Sequence, residues 1–215
     1  MKNRSTVESD GRSRPAPPAR SDLLRTFIAV ELDAAARRQL QSLQAALQAR
    51  VAPGLVRWVM LENIHITLKF LGETRPEQAP VVAAALDGIG PMLTPFQVTL
   101  AGRGCFPNFK RPHVIWAGLV DHGQRLQKLA EAVEKSVAPL GWPTDARPFS
   151  PHLTLGRVND HATSRERAEL GAVIEALEVG ELSRLPVSTL YFMRSELQPG
   201  GPRYTVLREV KLGAA

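Results

Sequence analysis

The sequence predicts a fold of mixed strands and helices, doubled within one chain and closed around a central groove. Three observations predict it. Ile64-His65-Ile66-Thr67-Leu68-Lys69-Phe70-Leu71-Gly72 and Ser150-Pro151-His152-Leu153-Thr154-Leu155-Gly156-Arg157 are near copies. The pattern strand, helix, His-Thr strand, helix, strand runs through the first half and returns in the second, with one strand added. Asp33 lies 32 residues before His65, and Asp121 lies 31 before His152. That registration implies a duplication of about 87 residues, too few copies for a solenoid.

In chain order, residues 1–22 are rich in Ser, Arg and Pro, with few large apolar groups. They cannot bury enough surface to offset the entropy of ordering, which predicts a disordered basic tail before a single bilobal domain over 23–213. Leu24 to Glu31 reads as a buried strand. Asp33 is placed to cap a helix reaching about Arg50, with Leu40, Leu43 and Leu47 on one stripe and Pro53-Gly54 beyond its end. A short strand, 56–59, leads to the first His-Thr strand. Thr74 and Glu77 have capping-box spacing for a second helix, stopped by Gly88 and Gly90.

Phe96 to Ala101 alternates as a strand, followed by a loop over 102–108 with basic Lys110-Arg111 beyond it. Val114 to Val120 is an apolar strand. Asp121 precedes a helix with Leu126, Leu129, Val133 and Val137 on its stripe, closed by Pro139 and Gly141. The second His-Thr strand follows, then a helix capped by Ser164. Two last strands, about 185–194 and 204–212, flank the turn Gln198-Pro199-Gly200-Gly201-Pro202.

Within a strand, residues i and i+2 share a face, about 6.6 Å apart. His65 and Thr67 therefore point one way, with Ile66, Leu68 and Phe70 expected in the core. His152 and Thr154 are set likewise against Leu153 and Leu155. Lys69 shares the parity of His65 and is expected to contact RNA or solvent.

Composition narrows the chemistry. A hydrophobic content of 44% and a charged content of 22% are those of an ordinary globular protein. No apolar run approaches the ~18 residues of a membrane span, and the N-terminus has no apolar signal segment. The single Cys105 excludes an internal disulfide or a cysteine-built metal cluster, and a cytoplasmic location is expected. The net charge of +6 is compatible with a phosphate-bearing substrate.

Two His and two Thr meeting across a groove suit in-line attack on a phosphodiester. Imidazole titrates near pH 6.5, so one ring can be base and its partner acid. Thr hydroxyls can donate to the non-bridging phosphoryl oxygens. No metal is needed for this, and acidic ligands do not cluster in sequence near either His.

Paired His-x-Thr-Leu motifs in a duplicated chain resemble the 2H phosphoesterase superfamily, and within it the bacterial RNA 2′,3′-cyclic phosphodiesterases, also called 2′-5′ RNA ligases. The resemblance runs from about Leu24 to Leu212. Weaker support comes from Thr26-Phe27-Ile28-Ala29-Val30, Val114-Ile115-Trp116-Ala117-Gly118 and Ser195-Glu196-Leu197. It implies an α+β, duplicated bilobal fold with antiparallel sheets facing the groove and helices outside. It implies hydrolysis of an RNA-terminal 2′,3′-cyclic phosphate to a 2′-phosphomonoester, with His65 as proton donor, His152 as proton acceptor, and Thr67 and Thr154 holding the phosphate. No metal or organic cofactor, no membrane and no obligate protein partner are implied; the partner is RNA or a nucleotide with a cyclic phosphate end.

Arg157, Phe149 and Arg111 are candidate substrate contacts: Arg157 to neutralise phosphate, Phe149 to stack a terminal base, Arg111 to touch the backbone. Each also has an ordinary structural reading, as surface arginine or core phenylalanine. His113, His122 and His161 lack a Thr partner and read as structural or surface groups. Cys105 reads as packing, and Trp58, Trp116 and Trp142 as core or groove wall. The alternatives are a 2′-5′ RNA ligase or phosphodiesterase, a small cyclic-nucleotide phosphodiesterase, and a non-catalytic RNA- or nucleotide-binding module; a metallohydrolase is disfavoured.

Overall fold

Nine strands and four α-helices make two antiparallel sheets in a computed structural model that describes residues 23–199 and 201–213. The predicted N-terminal tail lies outside the described residues. The strands are β1 (Leu24–Val30), β2 (Val56–Trp58), β3 (Ile66–Thr74), β4 (Phe96–Phe106), β5 (Val114–Val120), β6 (His152–Val158), β7 (Glu181–Val187), β8 (Thr189–Gln198) and β9 (Gly201–Lys211). The helices are α1 (Ala34–Gln48), α2 (Ala79–Ile89), α3 (Arg125–Val137) and α4 (Ser164–Ala176).

One sheet runs β3-β1-β8-β9 and the other β2-β6-β5-β4-β7. The sheets do not coincide with the two sequence halves. β4 belongs to the first half but joins the second His-Thr strand's sheet, while β8 and β9 complete the sheet of the first. The expected strand over 185–194 is in fact two strands: the chain leaves one sheet after Val187 and enters the other at Thr189. β2 is likewise exchanged, pairing with β6 from Val56–Val158 to Trp58–Gly156.

Each helix buries its apolar stripe. Leu40, Leu43 and Leu47 of α1 and Leu126, Leu129, Val133 and Val137 of α3 are buried. The helices too are exchanged: α1 packs on β7, and α3 on β3 and α2. Asp33 caps α1 as expected, accepting from Ala36 N (2.8 Å), while ahead of α3 the N-cap position is Gln124 and Asp121 Oδ2 accepts from Leu126 N (2.6 Å).

Two predicted caps move. Thr74 remains in β3, where its hydroxyl meets that of Thr26 at 2.6 Å in the core, so Gln78 caps the following turn by accepting from Arg75 N. For α4 the cap is Thr163, one residue earlier than expected, in a reciprocal box with Glu166. β4 extends through the expected loop to Phe106. Gly102, at φ +76°, lies where the β4–β5 register slips between Leu100 and Arg103 and lets the strand continue past the irregularity.

Candidate active site

The two His-Thr strands are irregular in the same place. β1 pairs Ala29 with Thr67 and then Ile28 with Lys69, leaving Leu68 as the extra residue. β5 pairs Trp116 with Thr154 and then Ile115 with Gly156, leaving Leu155 as the extra residue. Each motif therefore carries a bulge at the leucine directly after its threonine. A bulge inserts one residue on one strand only, so every later side chain changes face.

That reversal corrects two expectations. Phe70, expected in the core, is 65% exposed. Lys69, expected in solvent or on RNA, is 3% exposed and turned toward α3, where its Nζ lies 2.9 Å from Glu134 Oε1 and 3.1 Å from Asp145 Oδ1. In the other motif the same reversal exposes Arg157. Gly156, the counterpart of Lys69, is glycine for a steric reason: a Cβ there would lie 2.6 Å from Val56 Cγ1 and 3.1 Å from the Trp58 ring. Along the helix-free faces one strand thus presents His65, Thr67 and Phe70, and the other His152, Thr154 and Arg157.

The imidazoles are anchored alike. His65 Nδ1 lies 3.0 Å from Asn63 O and His152 Nδ1 lies 2.7 Å from Ser150 O, each the carbonyl two residues upstream. A carbonyl can only accept, so Nδ1 carries hydrogen in both rings and Nε2 is left for chemistry. Both rings and both threonines are half-buried, neither sealed in the core nor free in solvent.

Their surroundings differ. His65 stacks on Phe27 (centroids 4.7 Å apart, planes 23°) and meets the edge of Tyr204 at 5.2 Å. Phe27, read from sequence only as part of a buried strand, therefore sits on the groove face, in a small cluster with Ala29 and Met193 apart from the main core. His152 has one aromatic neighbour, Phe106, edge-on at 4.9 Å. The desolvation of His65 lowers its pKa from 6.5 to about 4; the Asn63 hydrogen bond opposes this and the charge of Arg37 adds to it.

Three observations bring the motifs together. Strands β3 and β6 touch. The β2–β6 ladder continues one step further, with Val59 N donating to Leu155 O at 2.9 Å, and the next residue, Met60, lines a pocket with His65. Arg157, from β6, is close enough for its charge to act on the Tyr204 hydroxyl beside His65, as does that of Arg25; burial nonetheless dominates and raises that phenol. The pocket, about 460 Å³, runs from His65 to the β8–β9 hairpin, with Asn63, Arg203 and Tyr204 in its wall. His152 and both threonines stand outside its lining.

The remaining candidates separate. Phe149 is half-buried, with its ring packed against the main core. Arg111 is exposed in the β4–β5 loop, where Asn108 Oδ1 accepts from its backbone N–H at 3.1 Å. His113, His122 and His161 are all exposed. Trp116 forms groove wall, its ring lying over Gly104, where any Cβ would collide with the indole. Cys105 is buried, and desolvation followed by the nearby Glu175 charge pushes its thiol up to about 11, so it is no nucleophile at neutral pH. Among the described residues, no group of three or more His, Cys, Asp or Glu side chains is arranged to hold a metal ion, and no helix is long and apolar enough to cross a membrane.

Sequence reasoning missed Phe27, Tyr204, Phe106 and Phe70 as site neighbours. Phe27 and Phe70 lie on strands whose apolar character alone assigns them to the core, and Phe106 falls in what reads as a loop. Only strict alternation with Ile28 and Val30 could have put Phe27 on the other face.

Comparison with known proteins follows the same doubling. The family model described as LigT like Phosphoesterase matches twice, over residues 30–116 and 119–204, once for each His-Thr motif. The chain is 31% identical over 189 residues to the RNA 2′,3′-cyclic phosphodiesterase of Methanothermobacter thermautotrophicus, an alignment covering 88% of this chain and 99% of that one. Among solved structures, TT0787 of Thermus thermophilus superposes with a TM-score of 0.72 at 30% identity, covering 88% of this chain and 98% of its own. Escherichia coli LigT complexed with 3′-AMP gives 0.70 at 26% identity, with the same coverage. The chain belongs to the LigT-like phosphoesterase family.

Proposed function

We propose that this protein hydrolyses an RNA-terminal 2′,3′-cyclic phosphate to a 2′-phosphomonoester, without a metal or cofactor. The observation that carries the reading is the matched anchoring of His65 and His152, each with Nδ1–H bound to a backbone carbonyl and Nε2 free. His152 Nε2 takes a proton from water as its oxygen bonds to phosphorus. The bond from phosphorus to the 3′ oxygen breaks, and His65 Nε2–H protonates that oxygen. Thr67 and Thr154 donate to the non-bridging oxygens, where negative charge grows in the transition state. The division into acid and base follows the family resemblance.

His65 is neutral at pH 7 in the free protein, because its aromatic enclosure disfavours the cation. A bound phosphodiester supplies the missing counter-charge, so substrate itself makes His65 an acid. Arg157 supports the phosphate, and exposed Phe70 is the more suitable platform for the terminal base than Phe149. The names of the relatives support an RNA substrate. A cytoplasmic location belongs to the same reading and rests on the lone, buried cysteine.

The test is product analysis on an RNA ending in a 2′,3′-cyclic phosphate, with and without chelator. A 2′-phosphate product at equal rates in both supports the reading. A 3′-phosphate product, no turnover, or turnover that collapses in chelator and returns with a divalent ion rejects it.

A further inference from the structure

Each exchanged helix places one polar side chain beneath the site, a buried one on α1 and a partly exposed one on α3. From α1, Gln44 donates through Nε2 to Val59 O (2.8 Å) and to Leu155 O (2.9 Å). Val59 stands six residues before His65, and Leu155 is the bulged residue after Thr154. From α3, Glu134 Oε1 accepts from Asp145 N (3.0 Å) and from Lys69 Nζ (2.9 Å). Asp145 stands seven residues before His152, and Lys69 directly follows the bulged Leu68. Lys69 Nζ donates further to Pro143 O (2.8 Å), and Trp142 Nε1 donates to Leu71 O (2.9 Å).

The two arrangements are counterparts. In each, the segment leading into one histidine is tied to the bulge of the opposite motif by a polar group of an exchanged helix. Leu155 O accepts twice, from Val59 N along the ladder and from Gln44 Nε2 of α1. The lead-in segments matter because each supplies the carbonyl that holds its own imidazole: Asn63 O for His65 and Ser150 O for His152.

We propose that Gln44 and the Lys69–Glu134 pair are positioning residues, a matched set of clamps that fix each imidazole relative to the opposite motif's threonine. Gln44 sets His65 against Thr154; Lys69 with Glu134 sets His152 against Thr67. The proposal rests on the acid–base reading of the two histidines. Burying an ammonium costs solvation that its carboxylate partners do no more than offset, and a methionine would fill the same space. What the ion pair adds is direction: it fixes where residues 143–145 lie on the back of β3.

The experiment uses the full chain with Lys69→Met and Gln44→Met, read by imidazole NMR and by turnover of a cyclic-phosphate RNA. Lys69→Met should shift the His152 Nδ1–H signal and leave that of His65 in place; Gln44→Met should do the reverse. In both, kcat should fall about tenfold or more with KM within twofold. Glu134→Gln, which keeps an acceptor, should retain more turnover than Glu134→Leu. Unmoved imidazole signals with wild-type kcat would overturn the proposal, and so would equal disturbance of both histidines in either variant. Should Lys69→Met fail to fold, Asp145→Ala, at an exposed carboxylate, should give the same His152 shift in smaller measure; no shift there also overturns it. The NMR arm reads clamp geometry even if wild-type protein shows no turnover, so failure of the proposed reaction is distinguishable from failure of the clamps.

Discussion

Phe70 and Arg157 are counterparts, each three residues beyond the threonine of its motif and each turned outward by a bulge at the intervening leucine. An aromatic ring on one side of the groove and a guanidinium on the other suit a nucleotide, which has a π face at one end and a charge at the other. The doubled scaffold thus differs between its halves where a substrate needs two different contacts.

Phe70→Ala should raise KM for a cyclic-phosphate RNA by about fivefold or more, since base stacking on an aromatic contributes ~1–3 kcal/mol. It should leave a small cyclic phosphate without a base unaffected. Steady-state kinetics on the two substrates checks this; equal effects on both would remove the stacking role.

Arg157→Ala should raise KM about tenfold with little change in kcat, equivalent to ~1.4 kcal/mol. The dependence of log KM on log salt should become shallower by about 0.7 if one phosphate contact is lost. A salt titration of the variant beside wild type is the measurement.

His65→Ala and His152→Ala should each lower kcat by at least ~10²-fold, since each removes one proton-transfer group. Thr67→Val and Thr154→Val should cost ~10²-fold or more in kcat through loss of a donor to the developing charge. Near-wild-type circular dichroism and Tm should accompany these losses. Wild-type rates in any of the four would take that residue out of the site.

Stability should depend on pH through His65. Its folded pKa of about 4 lies below the ordinary 6.5, because burial penalises the cation. Between those values the unfolded chain binds a proton that the folded chain refuses. The contribution is therefore fully present above pH 6.5 and is lost as pH falls toward 4, by ~3 kcal/mol at most. Urea unfolding of wild type and His65→Leu across that window checks it: wild type should lose stability relative to the variant as pH falls.

Much of the fold, and the strands that carry the candidate site, were legible in the linear sequence. The doubled His-x-Thr-Leu pattern marked its strands because alternation is a local property of extended backbone. Asp33 marked a helix start because capping acts within one turn. The fate of Lys69 and Phe70 was not legible, because a bulge is defined by the partner strand and leaves no trace in the spacing of its own. Nor could half-buried Phe149 be told from exposed Phe70, since the two are the same residue in a string.

By itself, then, the sequence determined the repeated elements and the two pairs of polar side chains, because strand parity, helix period and caps depend on neighbours along the chain. Only the tertiary structure decided which strands and helices change places between the sheets, which side chains the two bulges reverse, and that one histidine is enclosed by Phe27 and Tyr204 while the other is not. Those outcomes depend on pairing and burial between segments far apart in the chain, such as Arg25 of β1 with Ser195 of β8, and such long-range choices are settled by how surfaces fit rather than by any local preference.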